Sequence, residues 1–324
     1  MARPIIIDTD PGVDDAMAIL MALASPELDV LALTTVFGNA ATDRTTRNAL
    51  AILETVDRAD IPVAAGATDP IAVPFKGAVP FVHGENGLGG TRPIAPTNEI
   101  TEASAAETLY TLAAERPGEV TLLALGPLTN LAVALETHPD LVELVDEVVV
   151  MGGNALAPGN ATPVAEANIN NDPEAADLVF GAGWPITMVG LDVTHQVNLP
   201  GAVIDTITSA PNPGARLLAE AIPLYRAFFE ATNDIDGIYV HDPSTVAYLL
   251  EPDIFTTRHW PIRVETESFS RGKTWPNMGD TDDAAPPAWR DRPLVNVCTG
   301  VDSDRVVELL ADRLARGGAP LHHP

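Results

Sequence analysis

Cysteine is almost absent from this chain of 324 residues, in which Cys298 is the single example. One cysteine cannot form an intramolecular disulfide bond, which excludes a disulfide-stapled scaffold and makes a reducing cytoplasm the expected compartment. Cys298 lies in the strand-like run 294–298, a setting typical of a buried and unreactive thiol. Residues 1–4 lead directly into a predicted strand, and we expect no signal peptide there.

Lysine is also scarce: Lys76 and Lys273 are the only two, and 18 basic residues face 45 acidic ones. The net charge of −27 predicts repulsion from nucleic-acid phosphates and anionic membranes, so neither is an expected partner. An acidic surface of this kind is similar to that of proteins from salt-loving organisms. Long apolar runs are missing as well, because Asp8, Glu27 and Asp29 interrupt the first apolar region well below the length of a membrane span.

Strand-like and helix-like runs alternate along a chain that is 46% hydrophobic. This alternation predicts an α/β fold with an open, mostly parallel sheet flanked by helices. Without repeats or linkers, residues 1–324 are expected to form a single domain. Strands are predicted at 5–7, 30–36, 62–65, 120–125, 147–150, 186–189, 259–266 and 293–298. Helices are predicted at 16–23, 44–56, 102–115, 128–137, 173–180, 213–232, 242–250 and 302–316, with long loops at 66–101 and 151–171.

Four carboxylates fall within residues 8–15, directly after the apolar run Ile5-Ile6-Ile7. Pro11-Gly12 ends the predicted strand, so the acidic residues lie at its carboxyl end, where open α/β sheets bind their ligands. Asp14 and Asp15 are also explained as first-turn residues favoured by the helix dipole, but Asp8 and Asp10 are not. Like charges so close together predict a hard divalent cation held by carboxylate oxygens.

Polar residues follow the other predicted strands too, which a site at this edge of the sheet requires. Each has a structural alternative: Gly126-Pro127 is a turn, Asn154 tolerates a left-handed backbone, and Asp242 before Pro243 is a good helix cap. Their joint occurrence at so many strand ends favours a common site. The strand ends in question carry Asn39, Leu125, Asn154, Asn160, Glu166, Asn168, Asp172, His195, His241 and Asp242.

The segment 8–16, Asp-Thr-Asp-Pro-Gly-Val-Asp-Asp-Ala, resembles the N-terminal signature of the inosine-uridine-preferring nucleoside hydrolases. Further motifs occur in the family's order over residues 4 to 300. They are Gly126-Pro127-Leu128-Thr129-Asn130, Met151-Gly152-Gly153, Glu166-Ala167-Asn168, Asp172-Pro173-Glu174-Ala175-Ala176 and His241-Asp242-Pro243. The resemblance implies the nucleoside hydrolase fold and hydrolysis of the N-glycosidic bond of ribonucleosides to free base and ribose.

The resemblance also implies a tightly held Ca²⁺. Asp10, Asp15, Asp242 and the backbone carbonyl of Leu125 match the family's calcium ligands. An oxygen shell suits Ca²⁺ better than Zn²⁺, whose usual cysteine and histidine ligands are missing here. Asp10 additionally matches the general base that activates water.

Other positions match residues that contact the substrate. His241 matches the residue that supplies a proton to the leaving base, although a structural histidine beside the helix cap is the alternative. His83, in the glycine-rich run 82–89, is expected near the base or the ribose 5′-hydroxyl. Tyr225, Phe228, Phe229 and Tyr239 fit a wall against the base and a buried core equally well. The positions that match ribose ligands are Asp14, Asn39, Asn160, Glu166 and Asn168.

Some properties stay open at this stage. The run Ser270-Arg271-Gly272-Lys273-Thr274 resembles a family Thr-Arg-Gly motif, but the residues after it, 275–280, depart from the family pattern. The resemblance implies a homo-oligomer, a dimer or a tetramer, and it leaves purine against pyrimidine preference undecided. The role of Asp8 is also unassigned.

Two other functions compete with this interpretation. A haloacid-dehalogenase-type phosphatase would use Asp8 as nucleophile and Asp10 as acid–base partner, but it needs a downstream lysine, and neither Lys76 nor Lys273 follows a convincing strand. A non-catalytic calcium-dependent nucleoside or sugar binder would need the ligands without the base and the acid.

Overall fold

The computed structural model describes residues 2–92, 95–279 and 286–317; the other positions of the predicted 1–324 domain, including Pro93, Ile94 and Asp280, lie outside the described residues. The strands are β1 Arg3–Thr9, β2 Leu28–Thr35, β3 Val63–Ala65, β4 Thr121–Ala124, β5 Glu147–Met151, β6 Ile186–Val189, β7 Asn198–Leu199, β8 Ile238–Tyr239, β9 Phe255–Val264, β10 Thr274–Pro276 and β11 Leu294–Val301. The helices are α1 Val13–Leu23, α2 Thr42–Thr55, α3 Pro80–His83, α4 Ala105–Glu115, α5 Thr129–Thr137, α6 Leu141–Leu144, α7 Ala167–Asn171, α8 Pro173–Phe180, α9 Leu191–Thr194, α10 Gly201–Thr208, α11 Pro213–Asn233, α12 Asp242–Leu250 and α13 Ser303–Arg316.

The described strands form a nine-stranded sheet in the order β10-β9-β11-β6-β5-β4-β1-β2-β3 and a two-stranded sheet of β7 and β8. From β11 to β3 all neighbours in the large sheet are parallel, while β9 runs antiparallel to β10 and β11. The α/β fold predicted from the alternating runs is confirmed. The chain proceeds from β1 to β2 and β3 on one side and then returns to place β4 on the other side of β1. The gap between β1 and β4 is therefore the topological switch point, where such sheets bind ligands.

Two hydrophobic cores cover the faces of the sheet. Successive side chains of β1 alternate between them, since Ile5 and Ile7 belong to one core and Ile6 to the other. The first core packs α1, α11, α12 and α13 on one face, and the second packs α4, α5 and α8 on the opposite face. Trp260 packs against the second core from β9, as expected for a strand residue.

The structure differs from the predicted elements mainly in short pieces. The helices α3 and α7 lie within segments predicted as loops, and α10 and the β7–β8 pair were not predicted. The four residues of α3 and the five of α7 are too few to display the 3.6-residue period, and the eight of α10 cover only about two turns. A two-residue strand carries no alternation. The strand β9 also begins at Phe255, earlier than predicted. The Cys298 thiol is buried, as predicted, and burial raises its pKa to about 12.

Candidate active site

The acidic segment 8–15 connects the end of β1 to the first turn of α1, at the switch point of the sheet. All four carboxylates are buried: Asp8 and Asp15 have no exposed surface, Asp10 has 1% and Asp14 has 8%. Carboxylates almost never occupy such positions unless they are paired or bind a cation. No lysine or arginine bonds to any of the four among the described contacts.

Asp15 organises the turn between β1 and α1. Its Oδ2 accepts hydrogen bonds from the Gly12 amide at 2.8 Å and from Asn39 Nδ2 at 3.0 Å. Its Oδ1 accepts from the Thr9 hydroxyl and, at 3.2 Å, from the Asp10 amide. These donors hold the carboxylate rigidly at the start of the helix, where the helix dipole also favours negative charge.

Asp10 lies between two glycines that leave room for it. The Asn39 amide donates to Asp10 Oδ2 at 2.7 Å, whereas Oδ1 is buried without a hydrogen-bond partner. A Cβ atom at Gly38 would lie 2.0 Å from Oδ2, and one at Gly126 would lie 2.6 Å from Oδ1. Both glycines are therefore required by the carboxylate, and Gly126 brings the end of β4 against it.

Asp242, the first residue of α12, joins the acidic segment from a position more than 200 residues away in the sequence. One carboxylate oxygen each from Asp14, Asp15 and Asp242 lie within 4.8 Å of one another. The resemblance assigned Asp10, Asp15 and Asp242 to the metal and Asp14 to ribose, so the geometry adds Asp14 to the carboxylates that surround one point. Asp10 adjoins this group, because its backbone amide donates a hydrogen bond to Asp15 Oδ1.

The electrostatics of this group call for a cation. Burial, followed by the charge of Asp15, raises the pKa of Asp10 well above its usual range, and burial followed by the charge of Asp14 does the same for Asp242. Burial raises the pKa of Asp14 to about 6. Asp10 Oδ1 and Asp14 Oδ1 are buried without a hydrogen-bond partner, so they are free to bind an ion. A donor set made only of oxygens fits a hard divalent cation.

Asp8 faces away from this cation site toward the core between β1, β2 and α5. Its Oδ2 accepts from the Thr34 hydroxyl at 2.6 Å and from Asn130 Nδ2 at 2.7 Å. Burial raises its pKa to about 7 despite these two bonds. Asp8 is thus a structural link between three elements. Asp8 has no exposed surface, so it cannot be the phosphatase nucleophile. Neither lysine is placed to serve that phosphatase mechanism, because Lys76 lies in an exposed loop and Lys273 bonds to backbone carbonyls.

The end of β4 brings Leu125 beside the end of β1, where its amide donates to the Asp8 carbonyl at 2.7 Å. The Leu125 carbonyl accepts from Asn168 Nδ2 at 2.6 Å, and the same amide group donates to the Met151 carbonyl at 3.0 Å. Asn168 therefore connects the carboxyl ends of β4 and β5. The structure therefore brings Leu125 and Asn168, two predicted site residues, into direct contact.

Glu166 and Asn160 occupy the loop after β5 in different ways. Glu166 is buried and accepts from the amides of Gly153, Asn168 and Ile169 at 3.0, 2.8 and 3.0 Å. Burial raises its pKa in spite of these bonds. Asn160 is exposed, and its Oδ1 accepts from the Ala167 amide at 3.0 Å. Of the predicted ribose residues, Asn160 is the one whose side chain is exposed.

Two buried histidines border the carboxylates. His83 Nδ1 accepts from the Val13 amide at 3.2 Å and lies 3.9 Å from Asp14 Oδ1, and burial lowers its pKa to about 4. His241 Nδ1 shares a 2.8 Å hydrogen bond with the Thr194 hydroxyl. Burial, followed by the charges of His195 and His83, lowers the pKa of His241 to about 3. The lowered pKa values favour the neutral form of both rings.

Aromatic residues from α11 and β8 complete the site. Tyr225 is buried in the core, which is one of its two predicted alternatives, and its hydroxyl also donates to Asp14 Oδ2 at 3.0 Å. The Phe229 and Tyr239 rings lie 6.1 Å from the His241 ring, and the His195 ring lies 5.6 Å from it. Sequence patterns singled out neither Tyr225 nor Thr194 as a partner of a site residue. Thr194 and His195 did stand at a predicted strand end, which was the available signal.

The fold and this group of residues define an α/β enzyme whose site can hold a divalent metal ion. Comparison with known proteins identifies the family to which this enzyme belongs. Residues 5–308 match the model of the inosine-uridine preferring nucleoside hydrolase family, and the chain belongs to that family. It is a ribonucleoside hydrolase, and the family is metal-dependent. The resemblance read from residues 8–16 is confirmed.

Relatives cover nearly the whole chain. A protein named probable uridine nucleosidase 2, from Arabidopsis thaliana, is 43% identical over 315 residues, which are 96% of this chain and 97% of the relative. A pyrimidine-specific ribonucleoside hydrolase RihA from Photobacterium profundum is 43% identical over 318 residues, 97% of this chain and 99% of the relative. A solved plant nucleoside hydrolase superposes with a TM-score of 0.94 at 40% identity, covering 97% of this chain and 99% of that one. No described helix is long and apolar enough to cross a membrane.

Proposed function

We propose that this enzyme hydrolyses the N-glycosidic bond of pyrimidine ribonucleosides, uridine first, in a Ca²⁺-dependent reaction. The products are the free base and ribose, and water attacks through an oxocarbenium-like transition state. The observation that carries this proposal is the buried group of Asp14, Asp15 and Asp242 beside Asp10 at the switch point of the sheet. The preference for pyrimidines is supported by the names of the uridine nucleosidase and RihA relatives.

Ca²⁺ would be held by the carboxylates of Asp10, Asp15 and Asp242 and by the Leu125 carbonyl. The oxygen-only donor set supports Ca²⁺ rather than Zn²⁺, and two buried oxygens without partners support a bound ion. Because Asp14 Oδ1 is one of those two, Asp14 is the first candidate for an additional ligand. When bound, the ion would lower the pKa of a coordinated water and offset the charge of the carboxylates.

Asp10 would act as the general base. The Asn39 amide fixes its Oδ2, which leaves the unpartnered Oδ1 to accept a proton from the attacking water. Gly38 and Gly126 crowd both sides of the carboxylate and keep it from rotating away. Attack from the face opposite the base would invert the anomeric centre and form no covalent sugar–enzyme intermediate.

The ribose would be held by Asp14, Asn39, Asn160, Glu166 and Asn168. Negative charge and fixed oxygens around the sugar stabilise the positive charge that develops in the transition state. Glu166 and Asn168 are held by backbone contacts at the ends of β4 and β5, so they need not reorganise during the reaction. Asn160 would contribute from its exposed loop position, which makes it the outermost member of this group.

His241 would give a proton to the leaving base. In the protonated ring Nδ1 donates to the Thr194 hydroxyl, so Nε2 is the nitrogen that gives its proton to the base, and the ring returns to its neutral form. His83 would contact the base or the ribose 5′-hydroxyl through its Nε2, since its Nδ1 already accepts a hydrogen bond from the Val13 amide. The aromatic side chains of Phe229 and Tyr239 would exclude water from this side of the site.

Three wider properties are proposed with this function. Residues 1–324 form one domain, the protein works in a reducing cytoplasm because its one cysteine is buried and unpaired, and it assembles as a homodimer or homotetramer. The net charge of −27 supports a small-molecule substrate over nucleic acid or a membrane.

The test is incubation of the purified protein with uridine, cytidine, inosine and adenosine in the presence of Ca²⁺, with free ribose as the readout. We expect the fastest release from uridine. Release from inosine or adenosine alone would contradict the pyrimidine preference, and binding of uridine without release from any of the four would identify a non-catalytic binder. Uridine monophosphate incubated in parallel should yield no inorganic phosphate.

A further inference from the structure

The run Arg271-Gly272-Lys273-Thr274, here called the RGKT segment, leads from the loop after β9 into β10. The reaction proposed above does not use it. It nevertheless makes four successive contacts with the loop after β5 and the helices that follow. Those elements carry Glu166 and Asn168.

Arg271 and Gly272 contact the helices α8 and α7. The Arg271 guanidinium forms a bidentate ion pair with Glu174 of α8, at 2.6 and 2.7 Å. Gly272 has a φ of +85°, and a Cβ atom there would lie 2.9 Å from the Cα of Asn170. Its backbone is therefore pressed against the backbone of α7, which begins directly after Glu166.

Lys273 is buried, with 7% exposed surface, although lysine almost never occupies such a position. Its Nζ donates to the backbone carbonyls of Asn154 and Ala155, at 2.5 and 3.3 Å. The next residue, Thr274, accepts a 2.8 Å hydrogen bond from the Asn154 amide through its hydroxyl. Lys273 and Thr274 together hold both polar groups of the Asn154 backbone.

Asp192 holds the same loop from the other side. Its carboxylate accepts from the amides of Ala155, Leu156 and Ala157 at 2.6, 2.6 and 2.9 Å. The loop is thus fixed by an ammonium on its carbonyls and a carboxylate on its amides. The residue before Asn154 is Gly153, whose amide donates to Glu166 Oε2 at 3.0 Å. A short path therefore leads from Lys273 through residues 153–154 to the Glu166 carboxylate.

We propose that Lys273 and Thr274 are positioning residues, which hold the backbone of residues 153–155 so that Glu166 and Asn168 face the ribose. This inference rests on the proposed function, because it assigns the RGKT segment to the ribose-binding side of that site. The carboxylates around the cation site belong to the turn between β1 and α1, to α1 and to α12, and the RGKT segment has no described hydrogen bond to them. The proposal therefore requires that loss of Lys273 weakens substrate binding and leaves metal binding alone.

The test compares Lys273→Met, Lys273→Arg and wild type by the KM and kcat for uridine, by calorimetric Ca²⁺ affinity and by thermal unfolding. We expect the KM of Lys273→Met to rise about tenfold, because two buried carbonyls lose their charged donor. We expect kcat and the Ca²⁺ affinity to change less than about twofold, and Lys273→Arg to restore most of the KM. Arg305→Met, which breaks a surface ion pair with Glu251, is the matched control and should change neither KM nor Ca²⁺ affinity.

If the wild type is active, two outcomes overturn the proposal: an unchanged KM in Lys273→Met, or a rise in KM matched by an equal loss of Ca²⁺ affinity. If Lys273→Met does not fold, Thr274→Val answers the same question, because it removes the acceptor for the Asn154 amide and keeps the lysine. A wild type that releases no ribose contradicts the proposed function. Calorimetric binding of ribose to wild type and to Thr274→Val then decides this inference, and equal or undetectable binding to both overturns it.

Discussion

The Tyr225 hydroxyl donates a 3.0 Å hydrogen bond to Asp14 Oδ2, which joins two residues that are 211 positions apart in the sequence. The bond connects the middle of α11 to the first turn of α1. It also brings an aromatic ring from the core to the edge of the carboxylate group. Tyr225 thereby orients a site carboxylate whose other oxygen, Oδ1, remains buried and unpartnered, as does Oδ1 of Asp10.

Tyr225→Phe tests this relationship. We expect kcat/KM for uridine to fall about tenfold, and the free energy of unfolding to fall by about 1 kcal/mol, because Asp14 loses its donor while the ring still packs. Steady-state kinetics and urea unfolding measure the two effects. The matched control is Tyr110→Phe, whose hydroxyl bonds to the exposed Asp140 at the surface. Equal kcat/KM in both variants would show that the bond to Asp14 has no part in the site.

Asp8 predicts a specific pH dependence of stability. Burial raises its pKa to about 7, so between about pH 4 and pH 7 the folded protein keeps a proton that the unfolded chain has released. The stability from this group is complete below the unfolded pKa and is lost as the pH rises through 7. Asp8→Asn cannot ionise, so its stability should decline less with rising pH.

Urea unfolding at about pH 5 and pH 8, with saturating Ca²⁺, measures this effect. We expect wild type to lose about 2–4 kcal/mol more than Asp8→Asn between the two values. Asp146→Asn, at the surface near Arg3, is the control and should follow wild type. An equal loss in wild type and Asp8→Asn would mean that Asp8 is ionised in the folded protein throughout this range.

His241→Ala separates proton donation from binding. Uracil leaves poorly unless it is protonated, so we expect kcat for uridine to fall about 100-fold with little change in KM. A riboside with a nitrophenolate leaving group needs no proton, and its kcat should fall far less. Fixed-time assays of both substrates with one enzyme preparation supply the comparison. Equal losses on the two substrates would assign His241 a purely structural role beside Thr194.

The surface charge predicts stabilisation by salt. With a net charge of −27, the folded protein repels itself, and added salt screens that repulsion. We expect the unfolding temperature at neutral pH to rise between about 0.1 M and about 2 M KCl. Near the sequence pI of about 4.3 the same salt should have a much smaller effect, because little net charge remains. Equal stability at all salt concentrations at neutral pH would contradict this prediction.

Local features were predictable from the sequence where one short segment contains the whole cause. Residues 8–15 form a strand, a turn and a helix start within one stretch, so their place at the carboxyl end of β1 could be predicted and is confirmed by the structure. The same holds for the helix predicted at 173–180, which the structure shows as α8 with the Asp172 side chain at its N-terminus.

Contacts between distant segments were not predictable in this way. The bond between Tyr225 and Asp14 depends on how α11 packs against α1, and no spacing within either helix encodes it. The contacts of Asp8 with Thr34 and Asn130 likewise depend on the pairing of β1 with β2 and on the position of α5. For Asn160, the family resemblance predicts a ribose contact, but its exposed loop position follows from the path of the chain after β5.

We propose that the carboxylates at the switch point form a calcium site that supports ribonucleoside hydrolysis with Asp10 as base. The most direct test strips the metal from wild type and Asp10→Asn, then titrates Ca²⁺ while following both binding and ribose release from uridine. We predict that wild-type release rises from near zero in step with Ca²⁺ binding. Asp10→Asn should still bind Ca²⁺ and uridine, more weakly, and release no ribose. Full ribose release by the stripped wild type, or wild-type turnover by Asp10→Asn, would contradict the account.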